Sequence, residues 1–365
     1  MAAKRRTAPD EESAAEALLN SGATDGLPVV VPTPERVERM LEAGGLEPDL
    51  SLGIMPPRKG PTTVEKLAIN AVMAGCRPAY FPVVIAATRA MLQKEFTLSS
   101  VQGRSQATGP MLIVNGPIRH RLGIASGPGC IGPGWHANAT IGRAIRLILI
   151  NVGGGRVGGG DGATLGSPLK FSFCFAEAEE NSPWPPFHTS RGYAADDDVV
   201  TVAGAENTQA LAQTWNAPKG PTAPSAEVML NTMAASIVYP GGVLYGMAGS
   251  EPGAKGTYTT LVLGPPTVEI LDQAGYTRET AQEALWERVR IPVSGRRRFA
   301  VMRTAYKEPW ELDPTFDDPN VYFQPFAKPS DIQILVAGSG SNMLIPNSPL
   351  KLGAPCSEKI VTPRG

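Results

Sequence analysis

The sequence lacks the features that would place it in several familiar protein classes. None of its four cysteines forms a Cys-x-x-Cys pair, so neither a zinc ribbon nor a thioredoxin-type motif is present. No apolar run is long enough to span a bilayer, and no secretory signal follows the charged N-terminus. The formal net charge is only −1 over 365 residues, which gives no overall field towards nucleic acid or an anionic membrane. We therefore expect a cytoplasmic protein with reduced thiols that binds neither nucleic acid nor membrane.

Motifs for metal, nucleotide and hydrolase sites are also missing. The chain has only three histidines, and none pairs with another at a metal-ligand spacing, so we expect no metal site, with a carboxylate-based ion as the alternative that the sequence leaves open. There is no G-x-S-x-G elbow and no P-loop. Gly153, Gly155 and Gly158 formally fit G-x-G-x-x-G, but they follow a predicted helix and lead towards a strand. A dinucleotide fingerprint needs the reverse order, so the motif does not indicate a Rossmann fold.

Glycine and proline are abundant instead. The chain has 40 glycines and 35 prolines beside 42% hydrophobic residues, which favours many tight loops between short elements around a real core. Helical and strand patterns alternate, which predicts an α/β or α+β fold with a mixed sheet, helices and undetermined strand order. We divide the chain into a flexible tail (1–25), a main α/β region with the site (26–205) and a C-terminal α/β region (206–365). The last two regions are either separate or one domain, and no sequence repeat is evident.

Several elements follow from capping and periodicity. Thr33 and Pro34 begin a helix that Gly44 closes, after a short strand at Val29–Val31. A helical hairpin follows, in which Thr62 and Glu65 have capping-box spacing. Cys76 and Arg77 lie in its tight connection, which is either a plain joint or a place that presents a ligand contact. Further expected elements are strands at 111–115, 171–180, 198–205, 258–264 and 331–338, and helices at 137–152, 226–238 and within 266–290.

The stretch "SGPGCIGPGWHANATIGRAIRLILINVGGGRVGGGD" (126–161) contains a candidate chemical site. Cys130 stands among glycines and prolines about one turn before the expected helix start near Trp135, and a helix N-terminus stabilises a thiolate. Cys130 is therefore a candidate nucleophile, and the alternative is a small apolar residue in a packed loop. In the second glycine run, Gly153 and Gly155 allow a close backbone approach to a ligand or partner.

A second group of polar residues follows the expected strand at 171–180. Glu177 is followed by an aromatic, proline-rich loop that carries Trp184, His188 and Arg191. A carboxylate, an imidazole and a guanidinium suffice for acid–base work on an anionic substrate. The alternative is that these charges are solvated and that Trp184 covers the core.

Six stretches together resemble a known bacterial family. They are "DGLPVVVPTPERVERML", "TVEKLAINAVMAGCRPAYFPVVIAA", "LIVNGPI", "GPGWHANATIGRAIRLILINVGG", "KFSFCFAEAEENSPWPP" and "DIQILVAG". In this combination the chain resembles uncharacterised bacterial proteins associated with UGSC (Sec/Cys-Gly-Ser-Cys motif) proteins. The resemblance implies a soluble bacterial protein and suggests a thiol- or selenol-containing partner. The chain itself contains no Cys-Gly-Ser-Cys.

These observations lead to two functional hypotheses. The first is a small-molecule enzyme, a lyase or redox enzyme acting on a small polar or anionic metabolite. Its expected catalytic residues are Cys130, His188 and Glu177, and its expected substrate-binding residues are Arg191, Gly153, Gly155, Trp184, Cys76 and Arg77. The second is a non-catalytic subunit that binds a thiol- or selenol-containing redox partner. The sequence indicates no particular cofactor and leaves a homo-oligomer open.

Overall fold

A computed structural model describes residues 6–211, 225–238, 257–292, 318, 320, 322–347 and 353–363. These residues form an α+β fold with mixed sheets, which confirms the expected fold class. The chain divides into two compact units. Unit 1 comprises Met1–Glu177, Pro186–Asn207 and Gly353–Gly365, and unit 2 comprises Ala178–Pro185 and Thr208–Leu352. Each unit is therefore built from non-contiguous segments of the chain.

Unit 1 contains most of the described helices. They are α1 (Glu11–Asn20), α2 (Pro34–Gly44), α3 (Val64–Ala74), α4 (Phe81–Leu92), α5 (Leu98–Gly103), α6 (Ile118–Leu122) and α7 (His136–Asn151). Its strands are β1 (Ser51–Met55), β2 (Gly60–Thr63), β3 (Gly109–Asn115), β4 (Cys174–Ala176), β5 (Val199–Ala205) and β12 (Cys356–Lys359). Strands β1 and β2 form an antiparallel pair, and the other four form one sheet in the order β12-β5-β3-β4.

The sheet of unit 1 mixes strand directions. Strand β3 runs parallel to β4, with Val114 opposite Ala176, and antiparallel to β5. Strand β12 comes from the end of the chain and pairs antiparallel with β5 at the edge. Every residue of β5 and nearly every residue of β3 is buried, as expected for strands covered on both faces.

Helix α7 is the central helix of unit 1 and confirms the periodicity at 137–152. Ile141, Ile145 and Ile148 are all buried in the core that α7 shares with α3 and α4. The side chain of Arg143 on this helix makes a two-pronged ion pair with Asp25, with both N···O distances 2.8 Å. This pair fixes the segment after α1 to the helix.

Unit 2 has its own sheet and apolar core. Its helices are α8 (Ala226–Ile237), α9 (Pro265–Gln273) and α10 (Arg278–Arg288). Its strands are β6 (Gln209–Ala210), β7 (Thr259–Leu263), β8 (Ile291–Pro292), β9 (Tyr322–Phe323), β10 (Ile332–Val336) and β11 (Met343–Pro346). Four of them form a sheet in the order β10-β7-β11-β6, and β8 pairs antiparallel with β9.

The two four-stranded sheets have the same pattern of directions. In unit 1 the strands lie in the order β4, β3, β5 and β12; the first pair is parallel, and the next two pairs are antiparallel. In unit 2 the strands lie in the order β10, β7, β11 and β6, and again the first pair is parallel and the next two pairs are antiparallel. The chain order of the corresponding strands is also the same: β3, β4 and β5 follow one another in unit 1, as β7, β10 and β11 do in unit 2. In both units a Gly-Pro pair and then a helix follow the earliest of these strands, β3 or β7. The sequence showed no such repetition.

The structure corrects three local expectations. Val29–Val31 is not a strand, and the Val30 amide donates one hydrogen bond to the Met73 carbonyl, 3.2 Å away. Helix α3 has Thr63 as its N-cap residue with no side-chain capping bond, because β2 continues through Thr63; the capping box from Thr62 is therefore wrong. The strand expected at 171–180 is confined to Cys174–Ala176. The sequence also favours a loop at 215–225 and a solvated basic run at 296–298, and these positions lie outside the described residues, apart from residue 225.

Candidate functional site

Glu177 lies in a buried polar cluster at the carboxyl ends of β3 and β4. Its Oε2 accepts hydrogen bonds from the Asn115 side-chain amide and the Phe187 backbone N–H, both at 2.6 Å. The buried guanidinium of Arg119 donates to the Glu177 carbonyl oxygen at 2.8 Å. Because Glu177 has no exposed surface, its carboxylate secures the loop at Phe187 in this structure and is closed to a substrate.

His188 and Arg191 lie in the short helix Phe187–Arg191. This helix begins at the residue whose amide binds the Glu177 carboxylate. His188 is fully buried and its Nε2 lies 2.8 Å from the Ala194 carbonyl oxygen, so Nε2 is the donor. Its Nδ1 has no hydrogen-bond partner among the described residues. Arg191 donates to the Ser357 hydroxyl at 2.5 Å and to the Pro355 carbonyl at 2.6 Å. The guanidinium expected to hold an anionic substrate thus contacts the C-terminal segment.

Cys130 lies in the loop before α7 and is 4% exposed. Asn138, in the first turn of α7, donates to the Cys130 carbonyl at 2.9 Å and binds both backbone groups of Ala125. The Ala125 carbonyl in turn accepts from the Ala176 amide. The Cys130 loop and the end of β4 are therefore connected, but the Cys130 thiol is enclosed by protein.

The other three thiols are also buried, and burial opposes their ionisation. It raises the pKa of Cys76 to about 12, against a hydrogen bond from its Sγ to the Thr140 carbonyl at 3.3 Å. Burial likewise raises the pKa of Cys356 to about 11 and raises that of Cys174. Since the thiolate is the nucleophilic form, these three environments disfavour thiol chemistry.

The glycines of the second run pack closely against protein. A Cβ on Gly153 would overlap the Pro56 carbonyl oxygen, and one on Gly155 would overlap the Gln102 side chain. The amides of residues 159, 160 and 161 all point to the Arg156 carbonyl oxygen, at 3.0 to 3.1 Å. The run therefore forms a compact turn whose donors face inward, rather than a nest of amides facing a ligand.

The remaining two expected contacts lie apart from these groups. Trp184 belongs to unit 2, where its indole N–H donates to the Tyr276 carbonyl at 2.9 Å and Arg278 stacks 5.9 Å from its ring centre. Arg77 is exposed in the connection between α3 and α4, next to the buried Cys76.

A recess lies at the opposite end of β3 and β4, where these strands begin. Its enclosed part is about 10 Å³, room for one water molecule, and the total space between its walls reaches about 360 Å³ only when the open solvent at its mouth is included. The apolar part of its wall includes Val101, Ile145 and Leu149, and the polar part includes Gln102, Arg146, Asp161 and Lys170. A concave apolar wall with a few convergent polar groups is a feature of small-molecule sites, but the enclosed part of this recess is smaller than such sites and a bound molecule would lie mostly at its mouth.

An ion triad forms the polar side of the recess. Asp161 Oδ1 lies 2.7 Å from the Lys170 Nζ, and its Oδ2 lies 2.9 Å from an Nη2 of Arg146. The carboxylate side chain is 3% exposed and each cationic side chain 11%. Two cations therefore share one carboxylate, which leaves one excess positive charge in a poorly hydrated place.

The triad shifts the ionisation of its own members. Burial lowers the pKa of Lys170, and the Arg146 charge adds to this effect, whereas Asp161 opposes both. Burial raises the pKa of Asp161, but the Lys170 and Ala163 hydrogen bonds and the two positive charges outweigh it, so the net shift is downward. Such pKa shifts occur both at functional sites and in structural ion-pair networks.

Local sequence explains how each group reaches the recess. Arg146 is half-buried on α7, one turn after Gly142, which packs against the chain entering β4. Asp161 ends the glycine turn and accepts from the Ala163 amide at 3.1 Å, as aspartates do in turns. Lys170 ends a short helix, Pro168–Lys170, that begins with the Ser167 hydroxyl accepting from the Leu169 amide.

Sequence reasoning missed all three members of the triad. Arg146 was hidden in an apolar helix pattern, and Lys170 stood before the expected strand without a motif. The one available signal was Asp161, a lone acid at the end of a glycine run.

Comparisons of the chain with protein-family models, curated proteins and solved structures find no match. No helix in the described parts of the chain is both long and apolar enough to cross a membrane. Within those same parts, no group of three or more His, Cys, Asp or Glu side chains is placed to hold a metal ion.

Proposed function

We propose that the protein is a small-molecule enzyme that binds a small anionic metabolite in the recess of unit 1 and acts on it by lyase-type acid–base chemistry. Arg146 binds the anionic group, and Lys170 and Asp161 move protons. In this proposal Glu177, at the opposite end of β3 and β4, and the neighbouring helix with His188 and Arg191 support the fold of unit 1 rather than the reaction.

One observation carries this proposal. Among the described residues, the Arg146 guanidinium has Asp161 as its only hydrogen-bonding or ionic partner, although it has five N–H donors. Its remaining donors are in a recess with one excess positive charge. A guanidinium binds a carboxylate or phosphate through two parallel hydrogen bonds, so a small anion is the ligand that satisfies both the donors and the charge.

The thiol environments favour the lyase over the redox form of the hypothesis. A redox or nucleophilic thiol needs access and an accessible thiolate. All four cysteines are buried, and burial raises the pKa of Cys76, Cys174 and Cys356. The cationic recess, by contrast, requires no thiol.

Thermal unfolding in the presence of small anions tests the proposal. We expect L-lactate or phosphate to raise the Tm of the wild type and to raise that of Arg146→Gln much less. Arg121→Gln is the matched control, because Arg121 is half exposed and pairs with Asp198 away from the recess. Equal stabilisation of all three proteins would contradict binding at Arg146.

Catalysis needs a separate measurement. The wild type is incubated with a mixture of small hydroxy, amino and 2-oxo acids, and their proton NMR signals are followed with time. We expect loss of one signal with the wild type and at least about a hundredfold slower loss with Lys170→Met, as for removal of an acid–base group. Turnover that survives this substitution would remove Lys170 from the mechanism.

The alternative of a non-catalytic subunit that binds a thiol- or selenol-containing partner stays a prediction. No contact described above favours it over the recess.

A further inference from the structure

We propose that Lys170 is the nucleophile of this recess and forms an imine with the carbonyl carbon of a small 2-oxo acid. The inference rests on the proposed function and deepens it, since it specifies the substrate class and the reacting atom. Three independent features of the recess support it: the position of the amine, its neighbours and the unused donors of Arg146.

The position of the amine meets the requirements for a reactive lysine. Lysine becomes nucleophilic when it is desolvated or when it lies near another cation. Lys170 satisfies both conditions, because its side chain is 11% exposed and the Arg146 guanidinium binds the other oxygen of the same carboxylate. Burial, with the Arg146 charge, lowers the pKa of Lys170 despite the opposing effect of Asp161, so less free energy is needed to deprotonate the amine.

Asp161 lies where a proton carrier is needed. Its Oδ1 is 2.7 Å from the Lys170 Nζ, within the range for direct proton transfer. The ammonium first gives a proton to this carboxylate, a transfer that the lowered pKa of Lys170 favours and the lowered pKa of Asp161 opposes, and the free amine then attacks the carbonyl carbon. A C–N bond forms while the electron pair of the C=O double bond moves to oxygen.

The rest of the step balances without a further reagent. A proton moves from nitrogen to that oxygen, which gives a carbinolamine. The protonated Asp161 then gives its proton to the hydroxyl group, water leaves, and the nitrogen lone pair forms the C=N bond. The products are a protonated imine, one water molecule and the original carboxylate.

The charge of the recess selects the acid. A 2-oxo acid has a carboxylate adjacent to its carbonyl, so one end can pair with Arg146 while the other meets Lys170. Arg146 and Lys170 contact the two oxygens of the same Asp161 carboxylate, so their charged groups lie close to each other.

Reductive trapping tests the imine directly. The full-length protein is incubated with glyoxylate, pyruvate or 2-oxobutyrate and sodium borohydride, digested, and mapped by mass spectrometry. We expect the reduced adduct on Lys170 at a level at least about tenfold above that on Lys94, an exposed lysine that serves as internal control. We also expect L-lactate, which has the carboxylate without the carbonyl, to reduce the labelling.

The Lys170→Arg variant provides a second test, because arginine keeps the charge beside Asp161 but has no nucleophilic amine. We expect the Lys170 adduct to vanish and adducts elsewhere to stay unchanged. The wild-type map alone remains decisive if this variant does not fold.

Different results separate failure of the imine from failure of the proposed function. If Lys170 stays unlabelled by all three oxo acids while anions still stabilise the wild type more than Arg146→Gln, the imine is wrong and the anion site stands. If neither labelling nor selective stabilisation occurs, both are wrong. Equal labelling of Lys170 and Lys94 would also overturn the imine proposal, because it would show an ordinary surface amine.

Discussion

Asp161 is the residue on which the recess depends. It is the shared partner of Arg146 and Lys170, so Asp161→Asn leaves two buried cations without a counter-charge. We expect a loss of roughly 3 kcal/mol in the free energy of unfolding, as for removal of one partner from a buried ion pair. Urea unfolding measures this loss. Asp197→Asn is the control, since its pair with Lys359 is largely exposed and its removal should change stability much less.

The same carboxylate makes stability depend on pH in a defined direction. The pKa of Asp161 is lower in the folded protein than its ordinary value of 3.8, so the folded state binds this proton less readily than the unfolded state. The stabilisation of the folded state by the Asp161 carboxylate is therefore complete above its ordinary pKa. It is lost as the pH falls through the lower pKa of the folded protein. We expect the stability difference between wild type and Asp161→Asn to shrink on acidification below pH 3.8. A constant difference down to the acid transition would contradict the assigned shift.

The cysteines give a residue-scale test of the sequence hypothesis for Cys130. Since all four thiols are buried, we expect iodoacetamide to label each of them at least about tenfold more slowly in the native protein than in urea. Peptide mapping after limited labelling identifies the first cysteine to react. Rapid native labelling of Cys130 alone would support the nucleophile hypothesis against the packed-loop interpretation.

At the scale of elements, the contact of α7 with the chain entering β4 positions the recess. Gly142 on α7 makes this contact, because a Cβ there would overlap the Ser172 hydroxyl oxygen and lie 2.7 Å from the Phe173 amide nitrogen. We expect Gly142→Ala to destabilise the protein by about 1–3 kcal/mol through overpacking, although alanine is the better helix former. Thermal or urea unfolding measures the change.

Gly103→Ala is the matched control for this prediction. Gly103 ends α5, and a Cβ at this position meets nothing within 4 Å. We expect little change or a small gain in stability. Similar losses for both variants would show that the close approach at Gly142 is not the cause.

Elements were predictable where local signals agree with tertiary pairing. The spacing of Ile141, Ile145 and Ile148 was enough to predict α7, since a long amphipathic pattern has few alternatives. Val29–Val31 failed because a strand needs a partner along its length, and Val30 finds only one hydrogen bond, to Met73. The capping box failed by one residue, because pairing of Thr63 with Ser51 extends β2 and delays the helix. In both failures a contact distant in sequence decided the outcome.

At the scale of the whole molecule, the last strand completes the first unit. Strand β12 pairs with β5, and Pro355 and Ser357 accept hydrogen bonds from Arg191. A chain that ends at Leu352 leaves β5 without this neighbour and Arg191 without these two acceptors. We expect it to be insoluble or to unfold at a clearly lower Tm, whereas a chain that ends after Val361 keeps β12 and stays close to the wild type. Equal stability of the two truncated chains would contradict this role.

The sequence alone determined the alternation of helices and strands, because each such element is specified by the period of its own apolar residues. It also determined the balanced charge and the abundance of tight turns. The tertiary structure decided the rest: two units with the same strand pattern, and a triad that joins Arg146, Asp161 and Lys170. These residues belong to a helix, a glycine turn and a short capped helix, and no local pattern couples such segments. Only the pairing of β3 with β4 and the packing of α7 brings their charges together, so the candidate site could be found only after the chain had folded.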